Sequence, residues 1–136
     1  MKEAYLYEEM DDQKVRCLLC NHHGIIKSGK KGLCNVRENR SGTLVSLVYG
    51  KVIASNTDPI APPLFHFLPG SLSYSIATVG CNFRCLFCQN ADISQMPSDH
   101  DWIAGREMSL AQIVKDAQET HSATIAYNLY GTDHIL

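Results

Sequence analysis

The chain has 136 residues and a formal net charge of −2, from twelve Lys and Arg against fourteen Asp and Glu. That length suits one domain, or a small domain joined to part of another, and the slightly acidic balance argues against a partner role on nucleic acid. Hydrophobic residues make up 45% and charged residues 19%, which excludes a disordered or charged tail. Apolar runs are short and interrupted, so no membrane span is expected, and the acidic N-terminus lacks the apolar core of a secretory signal.

Residues 1–40 read as a small cysteine-containing module, polar and punctuated by Gly24, Gly29 and Gly32. It is expected to be loop-rich, to bury little apolar surface, and to need a metal or a neighbour to stay ordered. Residues 41–71 read as strands and a connector. The β-branched run 43–54, broken at Gly50-Lys51, predicts two short strands or a hairpin. Asp58-Pro59-Ile60-Ala61-Pro62-Pro63 predicts a rigid connector, and Pro69-Gly70 a turn. In the third segment, 72–136, a strand is expected from Leu72 to Thr78 and a loop over 95–107. A helix follows from Ser109 to about Thr120, with Ser109 and Gln112 at capping-box spacing and Leu110, Ile113, Val114 and Ala117 on one apolar face. A second strand begins at Ala123. Strand, helix, strand is one βαβ unit, hence a parallel sheet.

Six cysteines fall into two triplets: Cys17, Cys20, Cys34 and Cys81, Cys85, Cys88. Without a secretory signal a cytoplasmic location is expected, where clustered cysteines are more often metal ligands or redox groups than disulfides. The second triplet, Gly80-Cys81-Asn82-Phe83-Arg84-Cys85-Leu86-Phe87-Cys88, has CxxxCxxC spacing just after a strand. Thiolates hold iron–sulfur clusters, usually four to a [4Fe–4S] cube. Three leave one iron open to an outside molecule. Zinc binding, or thiols that merely fill space, is the plainer reading, but no fourth ligand is near in sequence: His66 and His100 are distant.

This spacing, with an aromatic residue (Phe87) before the last cysteine, resembles the signature of the radical S-adenosylmethionine superfamily. Tyr49-Gly50-Lys51-Val52-Ile53-Ala54, Asp58-Pro59-Ile60, Leu64-Phe65-His66-Phe67-Leu68-Pro69-Gly70-Ser71 and Gly80-Cys81 to Cys88-Gln89-Asn90 follow in order. Together they resemble the AmmeMemoRadiSam-system radical SAM enzymes, relatives of pyruvate formate-lyase activating enzymes, over residues 14–127. The resemblance implies an α/β fold, the start of a partial (β/α)6 barrel behind the N-terminal module. It implies that Cys81, Cys85 and Cys88 ligate a [4Fe–4S] cluster, with Phe87 near the adenine of S-adenosylmethionine. The implied reaction is reductive cleavage of that cofactor to a 5′-deoxyadenosyl radical for hydrogen abstraction, as in the activases of glycyl-radical enzymes. The substrate is unknown, with a protein glycine one candidate, and reduced flavodoxin or ferredoxin is the implied electron donor.

The first triplet, with Gly32-Leu33-Cys34-Asn35-Val36-Arg37, resembles the N-terminal cysteine module of the same family. It departs at Asn21, where a Pro is expected, and at Gly24, where a further Cys is expected. Cys17, Cys20, His22 and Cys34 are a possible second site, for zinc; free thiols are the alternative. Two other readings of the whole chain stay open: an iron–sulfur electron-transfer or redox module, and a zinc-stabilised interaction module. An electron carrier would need Cys34 as a fourth ligand, which requires the two triplets to meet in space.

After Tyr127 the family continues into a Tyr-Thr-Glu-Pro-Thr-like strand, whereas this chain runs Asn128 to Leu136 differently. One permitted back-translation restores Asn-Tyr-Thr-Glu-Pro-Thr-Ile-Phe when a single nucleotide after the Asn128 codon is removed. The expectation is therefore a C-terminally truncated chain, with 48 residues after Cys88, too short for catalysis and loosely folded.

Overall fold

A computed structural model describes residues 1–60 and 66–128. The connector residues 61–65 and the segment 129–136, on which parts of the reading above rest, lie outside the described residues.

The first layer is made of two three-stranded antiparallel sheets. One pairs β1 (Lys2–Glu3) with β6 (Thr43–Ser46), and β6 with β5 (Arg37–Arg40). The other pairs β2 (Tyr7–Met10) with β3 (Lys14–Cys17), and β3 with β4 (Ile25–Ile26). Contrary to the expectation of little buried apolar surface, this layer encloses its own core of Ala4, Val15, Ile26 and Leu44. The polar composition hid it because short strands bury alternate residues only: Val15 alone is buried in Lys14–Cys17. The β5–β6 hairpin also carries the layer across residue 40 to Ser46.

Asn39 joins the two sheets. It is fully buried, and its amide donates to the carbonyls of Gln13 and Ile26, both at 2.8 Å, while its carbonyl accepts from Gly42 N–H at 2.9 Å. A buried amide satisfied on both sides fixes which strands face each other.

The second layer is the sheet β8 (Ala54–Pro59), β9 (Leu72–Ala77) and β11 (Ser122–Asn128), in the order β11-β9-β8. β9 and β11 are parallel and are linked through α3 (Leu110–Glu119), the βαβ unit expected. Residues 58–59 correct the connector reading: β8 runs antiparallel to β9 through Asp58 and Pro59, with Pro59 opposite Leu72. β8 is an edge strand among the described residues and Pro59 is its last residue, where a missing N–H costs little.

The expected loop 95–107 instead contains α2 (Met96–Asp99), which follows α1 (Ala91–Ser94), and then β10 (Arg106–Glu107), paired with β7 (Lys51–Val52). Pro97 lies in the first turn of α2, where it starts a helix rather than breaking one. Ser109 caps α3, its Oγ accepting from Gln112 N–H at 3.1 Å. The Gln112 side chain turns to Asp116 instead of back to the cap, so half of the capping box forms. Ile113 and Ala117 pack with Val52, Tyr74, Ile76 and Met108, while Leu110 and Val114 are exposed.

Among the described residues these are several small sheets, and no barrel closes. Among the described residues no helix is long and apolar enough to cross a membrane.

Candidate functional site

The carboxyl end of β9 runs through Thr78 and Val79 into Gly80, and the second cysteine triplet begins there. In parallel α/β sheets this is the edge at which ligands bind, outside the carboxyl ends of the strands where the segments leading into the crossover helices begin. Gly80 has φ +96 and its N–H donates to the Ile93 carbonyl at 3.2 Å, so the chain turns sharply away from the strand. Few residues with a Cβ tolerate that conformation.

The loop Cys81 to Asn90 is held at a few points. Phe83 N–H donates to Cys81 Sγ at 3.3 Å, Cys88 Sγ lies 3.4 Å from Ser94 Oγ, and Cys88 N–H closes a turn on the Cys85 carbonyl at 3.2 Å. Gln95 donates to the Phe83 carbonyl at 2.9 Å, and Arg84 reaches Ser98 of α2. Asn90 stands at the N-cap of α1, although its side chain makes no capping bond.

All three thiols are free, with Cys85 exposed and Cys81 and Cys88 partly so. Burial pushes the Cys81 thiol up, the Phe83 N–H opposes this, and the charges of Cys85 and Cys88 push it up further. Among the described residues no three His, Cys, Asp or Glu side chains are gathered tightly enough to enclose a metal ion. Like-charged thiolates converge only on a cation, and three thiols on one open loop form a donor set suited to iron or zinc. Around them Phe83, Leu86 and Phe87 are exposed, Phe87 to 86%. Phe87 therefore fills no core position.

The first triplet packs against this loop. A Cβ on Gly80 would lie 2.4 Å from Val36 Cγ1 and 3.2 Å from the Cys34 carbonyl oxygen. Val36 joins Val48, Val79 and Ala104 in a core that Cys34, Ile93 and Met96 flank. His22 Nε2 lies 3.3 Å from the carbonyl of Asn82, between Cys81 and Cys85. His22 thus reaches the second cysteine loop, while the Cys17 sulfur lies 3.7 Å from Arg37 Nη1. Cys17 ends β3, its N–H bonded to the Gly24 carbonyl at 3.0 Å, and Cys20 opens a turn closed by His23 N–H. Burial pushes the Cys34 thiol up. The meeting of the two triplets rests on Gly80, Val36 and His22, which sequence spacing alone did not mark as a contact.

No protein-family model matches the chain, and no solved structure does. The chain is 49% identical over 128 residues to "Uncharacterized protein MJ0808" of Methanocaldococcus jannaschii, a match covering 93% of this chain and 38% of that protein. It is 26% identical over 108 residues to "Uncharacterized protein MJ0674" of the same organism, covering 76% of this chain and 27% of that protein. The chain therefore spans well under half the length of these curated relatives.

Proposed function

We propose that the chain carries the cluster-binding loop of a radical S-adenosylmethionine enzyme of the activating-enzyme kind, with Cys81, Cys85 and Cys88 as the ligands of a [4Fe–4S] cluster. The observation that carries this reading is three free thiols on one open loop at the carboxyl end of β9, ringed by exposed Phe83, Leu86 and Phe87. Apolar side chains left uncovered around metal-ligating groups mark a surface meant to be covered by a ligand.

When bound, such a cluster supplies the electron that cleaves S-adenosylmethionine to methionine and a 5′-deoxyadenosyl radical. The residues of this chain ligate, orient and exclude water. Phe83 N–H and Ser94 hold two of the sulfurs, and His22 braces the loop at Asn82. Phe87 and Leu86 offer the apolar wall for the adenine. The radical step itself belongs, in this proposal, to a protein of the relatives' greater length. Its substrate class is a hydrogen donor such as a glycine in a partner protein, its electron donor a reduced flavodoxin or ferredoxin, and its location the cytoplasm, where exposed thiols stay reduced.

Anaerobic reconstitution with iron and sulfide tests the reading. The expected product is brown, with about four irons per chain, and its reduced electron paramagnetic resonance signal changes on adding S-adenosylmethionine. Alanine at Cys81, Cys85 or Cys88 abolishes the colour, and alanine at Cys17, Cys20 or Cys34 spares it. A colourless protein that takes up zinc instead overturns the proposal in favour of a zinc-stabilised module. A cluster that needs Cys34 and ignores S-adenosylmethionine overturns it in favour of an electron carrier.

A further inference from the structure

Ser94 ends α1 and is 1% exposed. Its N–H donates to the Asn90 carbonyl at 2.9 Å, which fixes the residue on its helical turn. Its Oγ has two polar neighbours among the described residues: Gln95 Nε2 donates to it at 3.4 Å, and Cys88 Sγ lies 3.4 Å away. The same Gln95 nitrogen donates to the Phe83 carbonyl at 2.9 Å, which holds the amide in this orientation. A hydroxyl carries one proton and two lone pairs. Gln95 takes a lone pair, and an amide nitrogen accepts nothing in return. A buried hydroxyl proton is costly to leave unpaired, and the acceptor it reaches is the Cys88 sulfur. A cysteine that ligates a metal does so as thiolate and has no proton to give. Ser94 is then the donor and Cys88 the acceptor.

We propose that Ser94 is a positioning residue acting through Cys88: its hydroxyl donates to the Cys88 sulfur and raises the potential at which the cluster is reduced. This rests on the cluster-binding reading of the second triplet and deepens it. Cys81 has a donor in Phe83 N–H, on an exposed part of the loop, and Cys85 is exposed without such a donor among the described residues. Closing the three sulfurs on one cluster therefore falls to Cys85, while Cys88 stays seated on Ser94. One-electron reduction by the flavodoxin or ferredoxin donor places more negative charge on the ligand sulfurs. A hydrogen bond to a sulfur stabilises the more negative state, and so makes reduction easier. At Ser94 no water competes for the bond, which strengthens it. The hydroxyl keeps its proton throughout.

The test is a redox titration of the anaerobically reconstituted 136-residue chain with dithionite and mediators, read by the electron paramagnetic resonance signal of the reduced cluster. Ser94→Ala is expected to hold about four irons. At the potential that half-reduces the parent, its reduced-to-oxidised ratio should be about tenfold lower, a midpoint shift of about 59 mV. Ser94→Thr keeps the hydroxyl and should titrate near the parent. Gln95→Leu frees the hydroxyl to turn and should shift the midpoint less, in the same direction. A Ser94→Ala chain that titrates like the parent overturns the proposal, and so does a Ser94→Thr chain that shifts as far as Ser94→Ala. If Ser94→Ala holds no cluster, the other two variants decide, and a parent-like midpoint in Gln95→Leu overturns the proposal. A parent chain that binds no cluster is the failure of the underlying reading and takes this inference with it. A parent that binds one and responds to S-adenosylmethionine, beside an unshifted Ser94→Ala, is the failure of this inference alone.

Discussion

A methyl group placed on Gly80 would stand 2.4 Å from Val36 Cγ1, closer than real Cβ contacts come. Gly80 precedes the first cysteine of the loop that follows β9, and Val36 lies between Cys34 and Arg37, so this contact, with His22 against Asn82, joins the segments that carry the two cysteine triplets. Gly80→Ala adds both that overlap and the strain of a side chain at φ +96. It is expected to cost about 2–3 kcal/mol. Val36→Ala in the same chain relieves the overlap and leaves the backbone strain. In urea denaturation the double variant should therefore be less destabilised than the sum of the two single changes.

Asn39 makes three side-chain hydrogen bonds while fully buried. Asn39→Leu keeps the bulk but strands the carbonyls of Gln13 and Ile26 and the Gly42 N–H. The expected loss is about 3 kcal/mol or more, read as a fall in the urea midpoint at unchanged slope.

Ser109 supplies the N-cap of α3. Ser109→Ala should lower stability by about 1 kcal/mol, and Ser109→Asp should restore most of it, since a carboxylate also caps and favours a helix N-terminus. Amide exchange in the first turn of α3 reports the change locally.

Burial raises the Cys34 thiol above its ordinary range, the charge of Cys17 adds to this, and hydrogen bonding from the Val36 and Arg37 backbone opposes it. The folded state therefore holds that proton more tightly than the unfolded chain does. The stability this gives is complete below the unfolded thiol value, roughly pH 8.5, and is lost as pH rises through the higher folded one. The melting temperature of metal-free protein should decline above that point, and Cys34→Ala should flatten the decline.

Gly24 has open space where a side chain would stand, and its carbonyl is bonded to Cys17 N–H. Gly24→Cys puts a fourth thiol beside the first triplet, at the position where the family resemblance leads one to expect it. The variant should bind zinc at least about tenfold more tightly than the parent in competition with a chromophoric chelator, because four thiolates complete a tetrahedral set. Equal affinities would show that the first triplet does not act as a unit toward metal.

The sequence carried the local features well. The strand before Cys81, the Ser109 cap and the βαβ order were legible because each is written in a short window: a β-branched run, a capping residue, a period of 3.6. Pro59 and Pro97 misled, since proline excludes the middle of a ladder or helix but not an edge strand or a first turn. Leu110 and Val114 repeat at helical spacing, yet stay exposed, because periodicity shows that a face is apolar and not that anything covers it.

The sequence by itself determined the chemistry on offer: two groups of three thiols, the second at CxxxCxxC spacing and flanked by Phe83 and Phe87. Tertiary structure alone decided which groups meet. It set Val36 on Gly80, turned His22 toward Asn82, and buried Arg37 beside Cys17. The physical reason is that these contacts join residues up to sixty positions apart, and such pairs are chosen by how whole layers pack. The buried guanidinium of Arg37 meets the Cys17 sulfur only after the strands around it have closed.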